Sequence, residues 1–155
     1  DLSEIMDSVL TLYKARLRPE LTQIDAEYRT HERFLCFGEE MRQVFGNLVS
    51  NALNSMKRGG QIRVRVALGR SWSHTPTGGI RVTIADTGAG IPFNLRNNVF
   101  EPFVASQDST GTGLGLWVTA DIVKKHGGTI QFRSSTGTEK HGTAFSIFLP
   151  LTRRP

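Results

Sequence analysis

Three spacings of apolar residues divide the chain. Leu2, Ile5, Val9, Leu10, Tyr13 and Leu17 recur at helical intervals and predict an amphipathic helix over 1–17, stopped by Pro19. Met41, Val44, Phe45, Leu48, Ala52 and Met56 do the same over 39–56. Residues 61–68 and 79–85 alternate with β-branched side chains instead, which predicts two paired strands. The Ser-, Thr-, Pro- and Gly-rich stretch 69–78 is then their exposed hairpin loop. Further strands are predicted over 21–29, 32–37, 128–134 and 143–149, one helical turn over 93–98, and a helix beginning near Leu116. Repeats, low-complexity segments and internal linkers are absent from the sequence.

Polar residues interrupt these patterns at three places. The apolar run 79–85 ends in Asp86-Thr87-Gly88-Ala89-Gly90-Ile91-Pro92, so a buried strand delivers one carboxylate to a glycine turn. Gly88 and Gly90 let the backbone approach a flat ligand closely. By itself the pattern also describes an ordinary strand-to-loop turn. Asn47, Asn51 and Asn54 recur at i, i+4 and i+7 beside the apolar face of the second helix. Asn competes for backbone hydrogen bonds inside helices, so three on one side point to a polar ligand or to a solvated face. Gly111-Thr112-Gly113-Leu114-Gly115-Leu116 opens directly into a helix, where free N–H groups and the helix dipole favour an anion. It is not the dinucleotide fingerprint, because the polar run 105–110, and not a strand, precedes it.

Composition narrows the classes. The chain has 155 residues, 38% hydrophobic and 21% charged, which suits one globular domain, and it contains no apolar run near the roughly 20 residues of a bilayer span. Cys36 is the only cysteine, so there is no internal disulfide; it is expected to be a packed strand residue in a reducing compartment. The formal charge of +5 is spread along the chain without a basic run or basic-aromatic motif, so no nucleic-acid partner is expected. A polyanionic small ligand explains the balance equally well. The chain starts at Asp1 without an initiator methionine and is expected to be a fragment of a longer protein.

Taken in order, these segments resemble the ATP-binding catalytic domain of sensor histidine protein kinases, in the GHKL superfamily with gyrase, the mismatch-repair ATPase and the heat-shock chaperone. Residues 43–52 resemble the N box, 86–92 the first G box, Val99-Phe100-Glu101-Pro102-Phe103 the F box and 111–116 the second G box. The resemblance continues through His126-Gly127-Gly128-Thr129-Ile130 and the closing strand 142–150. It implies a two-layer α/β sandwich, the Bergerat ATP-binding fold, with a mixed, mostly antiparallel sheet and helices on one face.

The resemblance also implies roles. Asp86 would bind the amino group of adenine, directly and through a water shared with Thr143, and so select ATP over GTP. Asn51 would hold Mg2+, since an amide oxygen suits a hard cation that bridges phosphates. Asn47 would help hold the phosphates or the metal, and it stands where the superfamily's hydrolases resemble one another in a water-activating glutamate. An amide is not a general base, so phosphoryl transfer to a presented acceptor is favoured over hydrolysis. Gly88, Gly90, Gly111, Thr112, Gly113, Leu114 and Gly115 would bring backbone to the nucleotide, with Asn54 on the same helix. Ile91 and Leu116 would wall the adenine pocket or belong to the core, and Phe100 and Phe103 would anchor the lid or belong to the core. Trp117 follows as an unusually bulky residue.

Two departures qualify the expected activity. Where many such kinases carry a lysine after the F box, this chain has Gln107, and a position often Lys after the N box is Asn54, leaving Lys57, Arg58 or Arg96 as substitutes. None of His31, His74, His126 or His141 lies in an acceptor motif, and His126 is expected to cap a helix end. Transfer would therefore be to a histidine on an upstream dimerisation and phosphoacceptor hairpin, then to a response-regulator aspartate. The resemblance implies a cytoplasmic domain, monomeric in isolation, within a homodimeric full-length protein. A regulatory nucleotide-binding module without phosphotransfer and an anti-sigma-factor-type serine kinase are the alternatives.

Overall fold

The computed structural model describes residues 1–15, 17, 21–104 and 111–151. Its elements run α1 (Leu2–Lys14), β1 (Thr22–Tyr28), α2 (Gly38–Ser55), β2 (Gly60–Arg70), β3 (Gly78–Asp86), a 3-10 turn (Phe93–Asn98), α3 (Gly115–Lys125), β4 (Thr129–Thr136) and β5 (His141–Pro150). The strands form one sheet in the order β1-β2-β3-β5-β4, with β1 parallel to β2 and every other pair antiparallel. This is the expected mixed, mostly antiparallel sandwich.

Period-two burial explains the layers. Ile62, Val64 and Val66 of β2, Ile80, Val82 and Ile84 of β3, and Ile147 and Leu149 of β5 are buried on one face, where Met41, Val44, Phe45 and Leu48 of α2 meet them. The helical stripe Leu2, Met6, Val9 and Leu10 of α1 completes this core. Each such side chain contributes on the order of 1.5–3 kcal/mol by leaving water. On the other face β2 shows Arg63 and Arg65 to solvent. Phe148 is buried there by Trp72, edge-on at 6.3 Å, with the Arg81 guanidinium 4.7 Å from the Trp72 ring centre.

Several boundaries differ from expectation. Residues 32–37 form no strand. Pairing ends where Arg29 N–H reaches Val66 O at 2.8 Å, and the Thr30 hydroxyl then accepts from Glu32 N–H at 3.2 Å and turns the chain. Phe34 and Cys36 pack on the core while Leu35 and Phe37 are exposed, so the alternation records one-sided contact without a ladder. Cys36 is accordingly not a strand residue; its thiol is pushed up by burial. The β2–β3 strands run further than expected and leave only 71–77 as the loop, with Gly69 paired to Gly79. Gly79 has no room for a side chain, since a Cβ would lie 2.6 Å from the Phe148 ring. Helix α1 stops at Lys14, and Pro19 lies outside the described residues.

His126 caps α3 as expected: its backbone N–H donates to Ile122 O. The ring also contributes, with Nδ1 2.8 Å from Ile122 O and Nε2 3.2 Å from Phe37 N–H. Among the described residues no helix is long and apolar enough to cross a membrane.

Candidate nucleotide site

Helix α2 lies against both glycine turns and measures the distance between them. At one end the Asn47 amide nitrogen donates to Gly115 O at 3.1 Å and to Thr119 Oγ1 at 3.3 Å. At the other, the Ser55 hydroxyl lies 3.1 Å from Asp86 Oδ1, and Ser55 O accepts from Ala89 N–H at 3.1 Å. Eight residues of helix at about 1.5 Å each separate these anchors by about 12 Å. The site is therefore elongated, with a half-buried acid at one end and a helix start at the other.

Asp86 ends β3, paired with Thr143 of β5. Its Oδ1 accepts from Gly88 N–H at 2.8 Å as well as facing Ser55. Burial pushes its carboxyl above the ordinary carboxylate range, opposed by hydrogen bonds from Gly88, Ser55 and the Thr143 backbone. A half-buried carboxylate at a strand end is an acceptor able to receive a ligand's amino group. Gly88 leaves no alternative residue, because a Cβ would sit 1.9 Å from Ser55 Oγ. Gly90, at φ 79°, presses on Ser135 O, which a Cβ would meet at 2.1 Å.

At the opposite end Leu114 is the N-cap of α3 and provides no side-chain cap. The first N–H groups of that helix are left without a side-chain acceptor, the arrangement that receives an anion. Gly113, at φ 73°, crosses Phe103, whose N–H donates to Gly113 O at 3.0 Å. Phe103 is itself left-handed, at φ 63°, the only such non-glycine among the described residues. Gly111 and Thr112 are exposed.

The expected residues are thus partly brought together. Asn47, Gly113, Leu114 and Gly115 cluster at the helix start, and Asp86, Gly88, Gly90 and Thr143 at the sheet end. Asn51 is half-buried between them on α2, Asn54 is exposed, and Ser55 of the same helix reaches Asp86. Ile91 and Leu116 are partly buried against the core. Phe100 stacks edge-on with Phe132 and Phe145, whereas Phe103 is 77% exposed. Gln107 lies outside the described residues. A recess of about 810 Å3 lined by Trp72, His126 and Phe148 lies elsewhere and holds none of these residues.

Sequence reasoning did not single out Ser55, Thr87, Ser134 or His141. The Thr87 hydroxyl accepts from Gln61 N–H at 2.9 Å. Ser134 Oγ accepts from Ile91 N–H at 2.7 Å and lies 2.9 Å from Thr143 Oγ1, and His141 Nδ1 lies 2.7 Å from Gly88 O. Only Ser55 carried a signal, its place on the asparagine-bearing helix.

Residues 38–153 match the histidine kinase-, DNA gyrase B-, and HSP90-like ATPase family. The chain belongs to that family. It is an ATP-binding domain of the sensor-histidine-kinase kind. It is 38% identical over 111 residues to sporulation kinase A of Bacillus subtilis, covering 72% of this chain and 16% of that protein. It is 36% identical over 119 residues to the sensory histidine kinase/phosphatase NtrB of Rhodobacter capsulatus, covering 73% and 32%. The chain therefore spans a third or less of the length of these curated relatives. The solved mycobacterial sensor histidine kinase MprB superposes with a TM-score of 0.79 at 27% identity, covering 97% of this chain and 94% of that one.

Proposed function

We propose that this domain binds Mg2+-ATP along α2 and donates the γ-phosphoryl group to a histidine on a separate helical hairpin, for relay to a response-regulator aspartate. The observation that carries it is the single helix that ties Gly115 through Asn47 at one end and Asp86 through Ser55 at the other. An adenine amino group donates to the free oxygen of Asp86; guanine presents a carbonyl there, which the carboxylate repels. The triphosphate runs toward the uncapped start of α3.

Asn47 shapes the chemistry. Its amide nitrogen is committed to Gly115 O and Thr119, so only its oxygen faces the ligand, and an amide oxygen does not take a proton from water at neutral pH. The site holds and orients the phosphates; the acceptor imidazole supplies the nucleophile that forms the N–P bond as the bridging Pγ–O bond to ADP breaks.

Asn51 fits Mg2+ by its donor chemistry. Among the described residues no group of three or more His, Cys, Asp or Glu could hold a metal alone, so a cation here depends on phosphate oxygens, its own waters and an amide oxygen. When bound, Mg2+ neutralises charge on the β- and γ-phosphates.

The test is calorimetric titration of the domain with ADP and an unhydrolysable ATP analogue, with and without Mg2+, followed by incubation with ATP and an acceptor hairpin. Acid-labile phosphate on the hairpin is the expected outcome. Acid-stable phosphate, or fast Mg2+-dependent hydrolysis without the hairpin, overturns the reading.

A further inference from the structure

We infer that the β4–β5 hairpin is a clamp on the first glycine turn and that Ser134 and His141 are positioning residues for base recognition; this rests on the reading that Asp86 receives adenine.

The hairpin touches the turn at four successive points. Gly142, at φ 139°, lies so close to Asp86 that a Cβ would be 2.1 Å from Asp86 O. The His141 ring reaches Gly88 O at 2.7 Å. Ser135 O closes on Gly90, and Ser134 Oγ accepts from Ile91 N–H at 2.7 Å. Both polar contacts join residues distant in sequence, 53 apart for His141 and 43 for Ser134. Neither is needed to pair β4 with β5, whose ladder continues from Thr129 to Thr136 independently. What they fix is the turn, and with it the Asp86 carboxylate that shares Gly88 N–H.

The donors are determined by their partners. Gly88 O only accepts, so His141 Nδ1 carries the hydrogen. Ser134 has one proton and two acceptors in reach, Gly142 O at 3.1 Å and Thr143 Oγ1 at 2.9 Å. With that proton on Gly142 O, Ser134 accepts from both Ile91 N–H and the Thr143 hydroxyl. Thr143 is then left with free lone pairs facing the Asp86 end, an acceptor suited to an amino group or to a water that it holds. In that arrangement Ser134 sets the hydrogen-bonding sense of the threonine paired with Asp86.

ADP and GDP titrations of the 155-residue chain carrying His141→Phe, His141→Asn, Ser134→Ala or Asp86→Asn test the clamp, with the ligand-free melting temperature of each. His141→Phe and Ser134→Ala are expected to weaken ADP about tenfold and to lower the ADP-over-GDP ratio, with a fall in melting temperature no larger than the about 4 °C that one lost hydrogen bond accounts for. His141→Asn, whose amide N–H takes the place of Nδ1–H, is expected to restore ADP affinity to within about twofold. Parent-like ADP affinity in both His141→Phe and Ser134→Ala, with binding lost in Asp86→Asn, overturns the clamp and leaves the adenine assignment standing. A fall in affinity that follows melting temperature and is not rescued by Asn overturns it as well. Parent-like binding in Asp86→Asn overturns the adenine assignment and the clamp together.

Discussion

The two ends of the candidate site are built in opposite ways. Around Asp86 the protein supplies its own partners: Ser55, Gly88, Ser134 and His141 hold the turn from both sides before any ligand arrives. Around the second glycine turn the described residues supply few. Asn47 secures Gly115, but a Cβ on Gly111 would meet nothing within 4 Å and α3 begins without a side-chain cap. On the proposed function, the base end is a preformed mould, which suits selection among planar ligands. On the same reading, the described part of the phosphate end offers the N–H groups of an uncapped helix start, which suits an anion.

The sharpest way to break this contrast is Asp86→Asn. Its amide nitrogen would oppose the adenine amino group, and the loss of a charged hydrogen bond predicts roughly thirtyfold to a hundredfold weaker ADP in calorimetry. Asn51→Ala acts at the other end. We expect the gain in affinity that Mg2+ gives the ATP analogue to shrink by at least about tenfold, while Mg2+-free ADP binding stays near the parent value.

Acid separates the two ends by a smaller effect. Since burial raises the Asp86 pKa, the carboxylate takes up a proton at a higher pH than an exposed aspartate, and ADP affinity should begin to fall while ordinary carboxylates are still ionised. Titrations from neutral pH down toward the ordinary aspartate range measure this, and Asp86→Asn should flatten the profile. The smallest effect has the opposite sign. A carboxyl whose folded pKa lies above its unfolded value stabilises the fold when protonated and loses that contribution as pH rises through the folded pKa. At neutral pH the ionised Asp86 therefore costs stability, and ligand-free Asp86→Asn should melt above the parent in scanning calorimetry. An unchanged or lower melting point would show that Ser55 and Gly88 fully offset the burial.

Much of this was readable in the sequence where one period dominates. The β2–β3 hairpin, α2 and the closing strands follow from alternation or helical spacing, because each buries one continuous face. Residues 32–37 misled because one-sided packing gives the same alternation as a ladder. Within the site, glycines and the acid announced themselves through backbone chemistry. Ser134 and His141 did not: an isolated serine in a strand and a histidine at a strand start gain meaning only when segments 43 and 53 residues apart meet. Asn54 shares the helical face of Asn47 and Asn51 but is exposed, a difference in depth that spacing alone does not report.

The placement of the two tryptophans has an optical consequence. Trp117 sits at 46% exposure on the first turn of α3, beside the phosphate end, whereas Trp72 lies under Arg81 on the opposite face of the sheet. Emission from Trp117 should change when nucleotide arrives, and that from Trp72 should stay constant. A Trp72→Phe chain would then carry a single intrinsic indole fluorophore, reading occupancy of the phosphate end without any added label.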